Sequence, residues 1–150
     1  MDDLEIRAAA ADDLPAIVGM LADDPLGAQR ESPEDLAPYL TALERLGADP
    51  NQHLVVAVRE GRVVGTLQLT IVPGLSRRGA TRSIIEAVRI HGDERGSGLG
   101  SRLIEWAIDT SRREGCQLVQ LTSDNTRTDA HRFYERLGFT ASHVGFKLPL

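Results

Sequence analysis

The sequence predicts an α/β (α+β) domain in which helices flank a mixed, mostly antiparallel sheet. Three observations predict it. Segments with strand alternation and segments with helical periodicity follow one another in mixed order. Two apolar strands, Leu54 to Val58 and Val63 to Ile71, meet at Glu60-Gly61, a hairpin signal. A glycine-rich turn, Arg95 to Gly100, then joins an apolar strand to a long amphipathic helix. At 150 residues the chain reads as one domain over residues 1–150, long enough to bury a core without staples.

Each element has its own signal. Leu4-Glu5-Ile6-Arg7 alternates as a first strand. Asp12 or Asp13 caps a helix running to about Ala22, with Leu14, Ile17, Val18 and Leu21 on one stripe and Pro15 tolerated in the first turn. Asp23-Asp24-Pro25-Leu26-Gly27 breaks it. Ser32-Pro33-Glu34-Asp35 has the form of a helix start, predicting a second helix that ends near Gly47. After the hairpin, Pro73 to Gly79 is a loop and Arg82 to Ile90 a strand. A helix from about Gly98 to Arg113, a strand at Gln117 to Thr122 and a helix at Asp129 to Leu137 follow, with Gly138 placed as a C-cap. Phe139-Thr140 and Val144 to Leu148 close the chain as one or two strands.

Composition narrows the function classes. Hydrophobic residues are 41% and charged residues 26%, ordinary for a globular protein. A net charge of −5 argues against a nucleic-acid or anionic-membrane binder. Cys116, the only cysteine, excludes an internal disulfide and reads as a small buried residue at a strand start. No signal-peptide pattern or membrane-length apolar run stands out, so a cytoplasmic location is expected. No histidine pair has zinc-ligand spacing with a third carboxylate or thiol, so no metal is expected.

The turn Arg95-Gly96-Ser97-Gly98-Leu99-Gly100 carries the chemistry. A glycine turn feeding a helix start leaves backbone N–H groups unpaired beside the positive end of the helix dipole, which suits phosphate. Arg95 adds a permanent cation with fork-shaped donors. The glycines run G-x-G-x-G with Ser101 where a dinucleotide fingerprint needs its third glycine, and Ser101-Arg102 does not complete a P-loop. A plain tight turn is the remaining structural alternative.

The same residues, behind the strand Glu86-Ala87-Val88-Arg89-Ile90, resemble the acetyl-CoA-binding motif R/Q-x-x-G-x-G/A of the GNAT N-acetyltransferases. Phe133-Tyr134-Glu135-Arg136-Leu137-Gly138-Phe139 is similar to that family's F-Y-x-x-x-G-F signature. The resemblance covers nearly the whole chain. Asp129 to Tyr134 with Ser142-His143 looks most like small-molecule amine acetyltransferases of the aminoalkylphosphonate type. It implies a GNAT fold with a sheet of six to seven strands and about four helices. It further implies acetyl-CoA as cofactor, CoA as product, and a small-molecule amine acceptor attacking directly in a ternary complex. Homodimers are frequent among such relatives.

The resemblance assigns cofactor binding to the backbone of Val88, Arg89 and Ile90, to Arg95, Gly96, Ser97, Gly98, Leu99 and Gly100, and to Ser101. Many relatives carry Asn where this chain has Arg127; either Arg127 or Asn125 takes that place, or Arg127 meets an acidic acceptor. Tyr134 is the candidate acid, because a phenol stays protonated near pH 7 and can donate to a leaving thiolate. Glu86 is the candidate base and an acceptor contact. On a regularly alternating strand it would share a face with Ile84, Val88 and Ile90, where partial burial would suit it to that task. An amine of pKa near 10 costs roughly 4 kcal/mol to deprotonate at pH 7, so a base, direct or through water, has work to do. His91 is an alternative base, and His131, one helical turn before Tyr134, either orients its hydroxyl or packs. The acceptor pocket is expected from the loops Asp23 to Glu31 and Pro73 to Arg78, with Arg30, Arg77, Arg78 and His143 facing an anionic acceptor. Two other readings remain open: a protein lysine or N-terminal acetyltransferase, and a CoA-binding module without turnover.

Overall fold

The computed structural model describes residues 3–150. Its elements are β1 (Glu5–Ala8), α1 (Leu14–Ala22), α2 (Gly27–Arg30), α3 (Ala37–Gly47), β2 (Gln52–Arg59), β3 (Arg62–Val72), α4 (Ser76–Gly79), β4 (Arg82–Ile90), α5 (Leu99–Arg113), β5 (Leu118–Leu121) and α6 (Thr128–Arg136). Two compact units are distinguished, Met1–Gln120 and Leu121–Leu150.

The strands lie in sequence order, β1-β2-β3-β4-β5, and the first four pair antiparallel. The β2–β3 hairpin turns at Glu60 and Gly61, both at positive φ (51° and 74°), the geometry whose twist matches its flanking strands. One sheet face packs on α5, where Leu99, Leu103, Ile104 and Ala107 are buried with Leu67, Leu69 and Ile85. Ser83 on that face hydrogen-bonds Ser111 of α5 at 2.7 Å, so neither buried hydroxyl is unpaired. The other face lies under α1, whose Leu14, Ile17 and Val18 are buried.

The expected fold class stands, with corrections in detail. The sheet has five described strands rather than six to seven. Residues 139–150 form no helix or strand, and Val144, Phe146 and Leu148 are exposed. Alternation there supplies an apolar side but cannot specify a pairing partner. Among the described residues six α-helical segments appear rather than about four, because α2 and α4 are single turns within stretches read as loops, too short to show a period. The second helix begins at Ala37, not after Ser32. The Asp35 carboxylate accepts from the Ala37 amide at 3.1 Å, and Pro38 sits in the first turn. Cys116 is half-buried and precedes the strand start at Leu118.

Candidate active site

The glycine turn is built as its sequence demands. Gly96 and Gly98 have φ of 82° and 84°, a region that side-chain-bearing residues enter only with strain. No atom lies within 4 Å of a Cβ built at either, so the turn opens to space. Leu99 is buried and pins the helix start, while the Arg102 amide is bonded back to the Gly98 carbonyl at 3.2 Å. The amides of Leu99, Gly100 and Ser101 precede that first return bond and have no place in the helical ladder. This donor set, at the positive end of a fifteen-residue helix, fits a phosphate-bearing cofactor. Ser97 is otherwise employed: its hydroxyl donates to the Glu94 carbonyl at 2.6 Å. Arg59 meets the Glu94 carboxylate at 2.6 Å and ties the turn to β2. His91 caps the turn's approach, its Nδ1 accepting from the Asp93 amide at 3.2 Å.

β4 leads into this turn and is not regular. Glu86 pairs with Gln68 and Arg89 with Thr66, so Ala87 and Val88 together stand opposite Leu67. Ala87 has φ of 54°. This is a β-bulge, and it resets the faces beyond it. Glu86 shares the α1 side with Gln68 and Ile84, whereas Ile90, paired with Gly65, falls on the α5 side. The expected common face of Glu86 and Ile90 is thereby overturned, and Glu86 is exposed rather than partly buried. Val88, Arg89 and Ile90 are half-buried. β5 has four residues to the nine of β4, and the Gln117 amide donates to Thr81 at the far end of β4. Four residues of β5 cannot pair along all nine of β4.

The loop after α1 is held against both features. Asp24 lies 3.4 Å from Arg89 and accepts from the Gly27 amide at 2.6 Å, and Asp23 lies 3.8 Å from Arg95. Arg89 also donates to the Val88 carbonyl at 2.9 Å. Arg30 at the end of α2 is exposed, as are Arg77 and Arg78 in α4. Both α4 arginines have positive φ, 56° and 62°, which marks that turn as left-handed and strained.

In the second unit, Tyr134 of α6 sits edge-on between Phe133 and Phe139, with ring centroids 5.2 and 5.9 Å away. His131 does not orient Tyr134 through its Nε2, which bonds the Asp124 carbonyl at 2.8 Å. Asn125 and Arg127 are exposed in the turn before α6, and His143 is exposed and bonded to the Ser142 hydroxyl at 2.6 Å. Cys116 is a poor nucleophile: burial pushes its thiol pKa up, reinforced by the charge of Glu114.

Residues 14–139 match the acetyltransferase (GNAT) family. The chain belongs to that family. An aminoalkylphosphonate N-acetyltransferase of Salmonella typhimurium is 39% identical over 68% of this chain and 66% of its own length. A glucosamine 6-phosphate N-acetyltransferase of Trypanosoma brucei brucei is 39% identical over 60% of this chain and 59% of its own. The chain thus matches about two thirds or less of these curated relatives. A crystal structure described as a transcriptional regulator from Bacillus halodurans C-125 is 46% identical and superimposes with a TM-score of 0.94, covering 98% of this chain and 99% of that one.

For a GNAT protein, acetyl-CoA is the family's co-substrate, and the open glycine turn has the donors to hold its phosphates. Sequence reasoning read Asp23 and Asp24 as a helix break opening the acceptor loop and passed over their pairing with Arg95 and Arg89. Two adjacent acids at a helix C-terminus, where the dipole disfavours them, were a signal that cations elsewhere in the fold would meet them.

Proposed function

We propose that this chain is an acetyl-CoA-dependent N-acetyltransferase whose acceptor is the primary amine of a small molecule, reached by direct attack in a ternary complex. The observation that carries the reading is the open glycine turn at Gly96 and Gly98, continuous with a bulged β4 that presents Glu86. The donor supplies an acetyl group activated as a thioester. Val88 to Ile90 offer backbone groups to its arm, and Arg95 with the amides through Ser101 holds its phosphates. Arg127 or Asn125 takes the place of the family Asn.

Glu86, exposed at the bulge, takes the amine proton directly or through water, His91 being engaged in its own turn. The nitrogen–carbon bond forms as the carbon–sulfur bond breaks, and the departing sulfur receives a proton from Tyr134. The upward-shifted pKa of the Cys116 thiol supports transfer without a cysteine-bound step. Arg30, Arg77 and His143 are assigned to the acceptor, and the relatives named for an aminoalkylphosphonate and a sugar phosphate support an anionic amine. A cytoplasmic setting, one domain over 1–150 and a homodimer belong to the same reading.

The name of the Bacillus halodurans relative favours one alternative, a CoA-binding regulator without turnover. Thiol release from acetyl-CoA across a panel of small amines and lysine peptides separates them. Turnover with small amines supports the proposal, and a preference for peptides moves the acceptor class. Tight CoA binding with no turnover on any amine overturns the enzyme reading.

A further inference from the structure

The α1 side of the sheet contains an unfilled space. A cavity of about 140 Å³ lies between α1, α3 and the sheet, walled by Ile17, Val18 and Leu21, by Leu43 and Leu46, and by Leu54. Its sheet end is formed by Thr66, Gln68 and Ala87. Ala87 is the left-handed bulge residue immediately after Glu86.

The lining has no charge to offer. No acidic, basic or histidine side chain is among its residues. Its polar groups are committed elsewhere: the Thr66 hydroxyl donates to the Val55 carbonyl at 2.8 Å, and the Gln68 amide donates to Gln52 at 3.1 Å. The Tyr39 hydroxyl donates to Glu31 and accepts from the Ser32 amide, both at 2.9 Å. An anion placed here would lose its hydration without gaining a partner.

α3 supplies a second, independent observation. It carries an apolar stripe, Tyr39, Leu43 and Leu46, yet none of its residues is fully buried. Amphipathic helices are held by burying such a stripe, so the gap beneath α3 leaves apolar surface uncovered. An apolar cavity of roughly 150 Å³ lined by aliphatic and aromatic side chains takes up benzene, so this one has room for about six heavy atoms.

We propose that this cavity is a pocket for a short uncharged hydrocarbon group of about four to six carbons, delivered to the β4 bulge. The group arrives either on the acceptor amine or as an acyl chain longer than acetyl. This rests on the acyl-transfer reading above, and the bond exchange at the thioester is unchanged by chain length. The anionic end of any acceptor stays outside this uncharged lining.

The test has two kinetic arms and one binding arm. In the first, acetyl-, propionyl-, butyryl- and hexanoyl-CoA are compared with one amine. In the second, acetyl-CoA is held constant and n-alkylamines from ethyl to hexyl are compared. The expected result is that kcat/KM rises about threefold to fourfold per added methylene until the cavity is full, in one arm. That arm identifies whether donor or acceptor carries the group. Leu43→Trp fills the space and should abolish the length preference while leaving the acetyl–ethylamine rate unchanged; Leu43→Phe serves if the larger ring prevents folding.

The binding arm titrates n-pentanamide and follows the methyl resonances of Ile17, Val18 and Leu43, which should shift. Methyl shifts without turnover on any amine would sink the transferase reading and keep the pocket. Turnover with flat length series, no methyl shift and no effect of Leu43→Phe would show an unfilled packing space and overturn the pocket.

Discussion

The Asp23 carboxylate stands 3.8 Å from the Arg95 guanidinium, so the cation heading the glycine turn already has an anionic neighbour. In the proposed cofactor role of Arg95, a phosphate there competes with Asp23 for the same cation. The two side chains are 67% and 68% exposed, which keeps the pair weak and salt-sensitive. Asp23→Asn should therefore tighten CoA binding by about twofold to threefold at low salt, and Arg95→Ala should weaken it by a similar or larger factor. Calorimetric titration of CoA at low salt and at high salt checks this. Both effects should shrink in high salt, and an Asp23→Asn variant that binds more weakly would contradict the competition.

Tyr134 and Glu86 should separate from the binding residues in kinetics. Tyr134 is held edge-on by Phe133 and Phe139, packing that Tyr134→Phe keeps while deleting only the hydroxyl. Loss of a proton donor to the leaving sulfur should lower kcat by about 10²-fold with the CoA dissociation constant unchanged. Glu86 is exposed, so in its proposed role as base water can share the work, and Glu86→Gln should cost less, on the order of tenfold in kcat/KM, most visibly below the amine pKa. Unchanged rates in both variants would remove their catalytic assignment.

The contrast between these two residues shows what the sequence carried. β4 was legible to the residue as Arg82–Ile90, and the turn after it was legible because glycine spacing is a backbone instruction. The bulge at Ala87 was not. A single extra residue leaves the apolar count of the strand intact while exchanging the faces of everything beyond it, so Ile90 and Glu86 part company. The tail failed for a related reason. Val144, Phe146 and Leu148 alternate as a strand does, but alternation is a property of one segment and pairing a property of two. The ion pairs of Asp23 and Asp24 join residues some seventy positions apart, beyond any local pattern.

Glycine replacements should distinguish the proposed cofactor turn from the proposed acceptor loop. At Gly98, φ of 84° with open space around it makes backbone strain the whole cost of alanine, roughly 1–2 kcal/mol. Gly98→Ala should fold, melt a few degrees lower and bind CoA several-fold more weakly. At Gly27 the conformation is ordinary, but a Cβ would lie 1.8 Å from the Leu21 carbonyl oxygen, so α1 and α2 must move apart. Gly27→Ala should raise KM for the amine, since its damage falls on the loop bearing Arg30, and should weaken CoA binding less than Gly98→Ala does. Steady-state kinetics with CoA titration reads both, and equal loss of CoA affinity in the two would refute the division.

Acid should loosen the entrance to α1 first. Asp13 is buried, and Arg7 grips it with two hydrogen bonds of 2.7 and 3.0 Å while the Ala10 amide donates to it at 2.7 Å. The Arg7 hydrogen bonds, more than any other influence, hold the Asp13 carboxyl below the ordinary carboxylate range, against the opposing effect of burial. The folded state therefore binds a proton at Asp13 less readily than the unfolded chain. Its stabilising contribution is complete above the unfolded pKa near 3.9 and drains away as pH falls through the lower folded value. Asp13→Asn should lower Tm at pH 7 by about 3 °C or more, and the gap to wild type should narrow as pH drops below about 4. Thermal melts from pH 3 to 7 measure it; a gap that stays constant or widens toward acid would mean Asp13 does not titrate with folding.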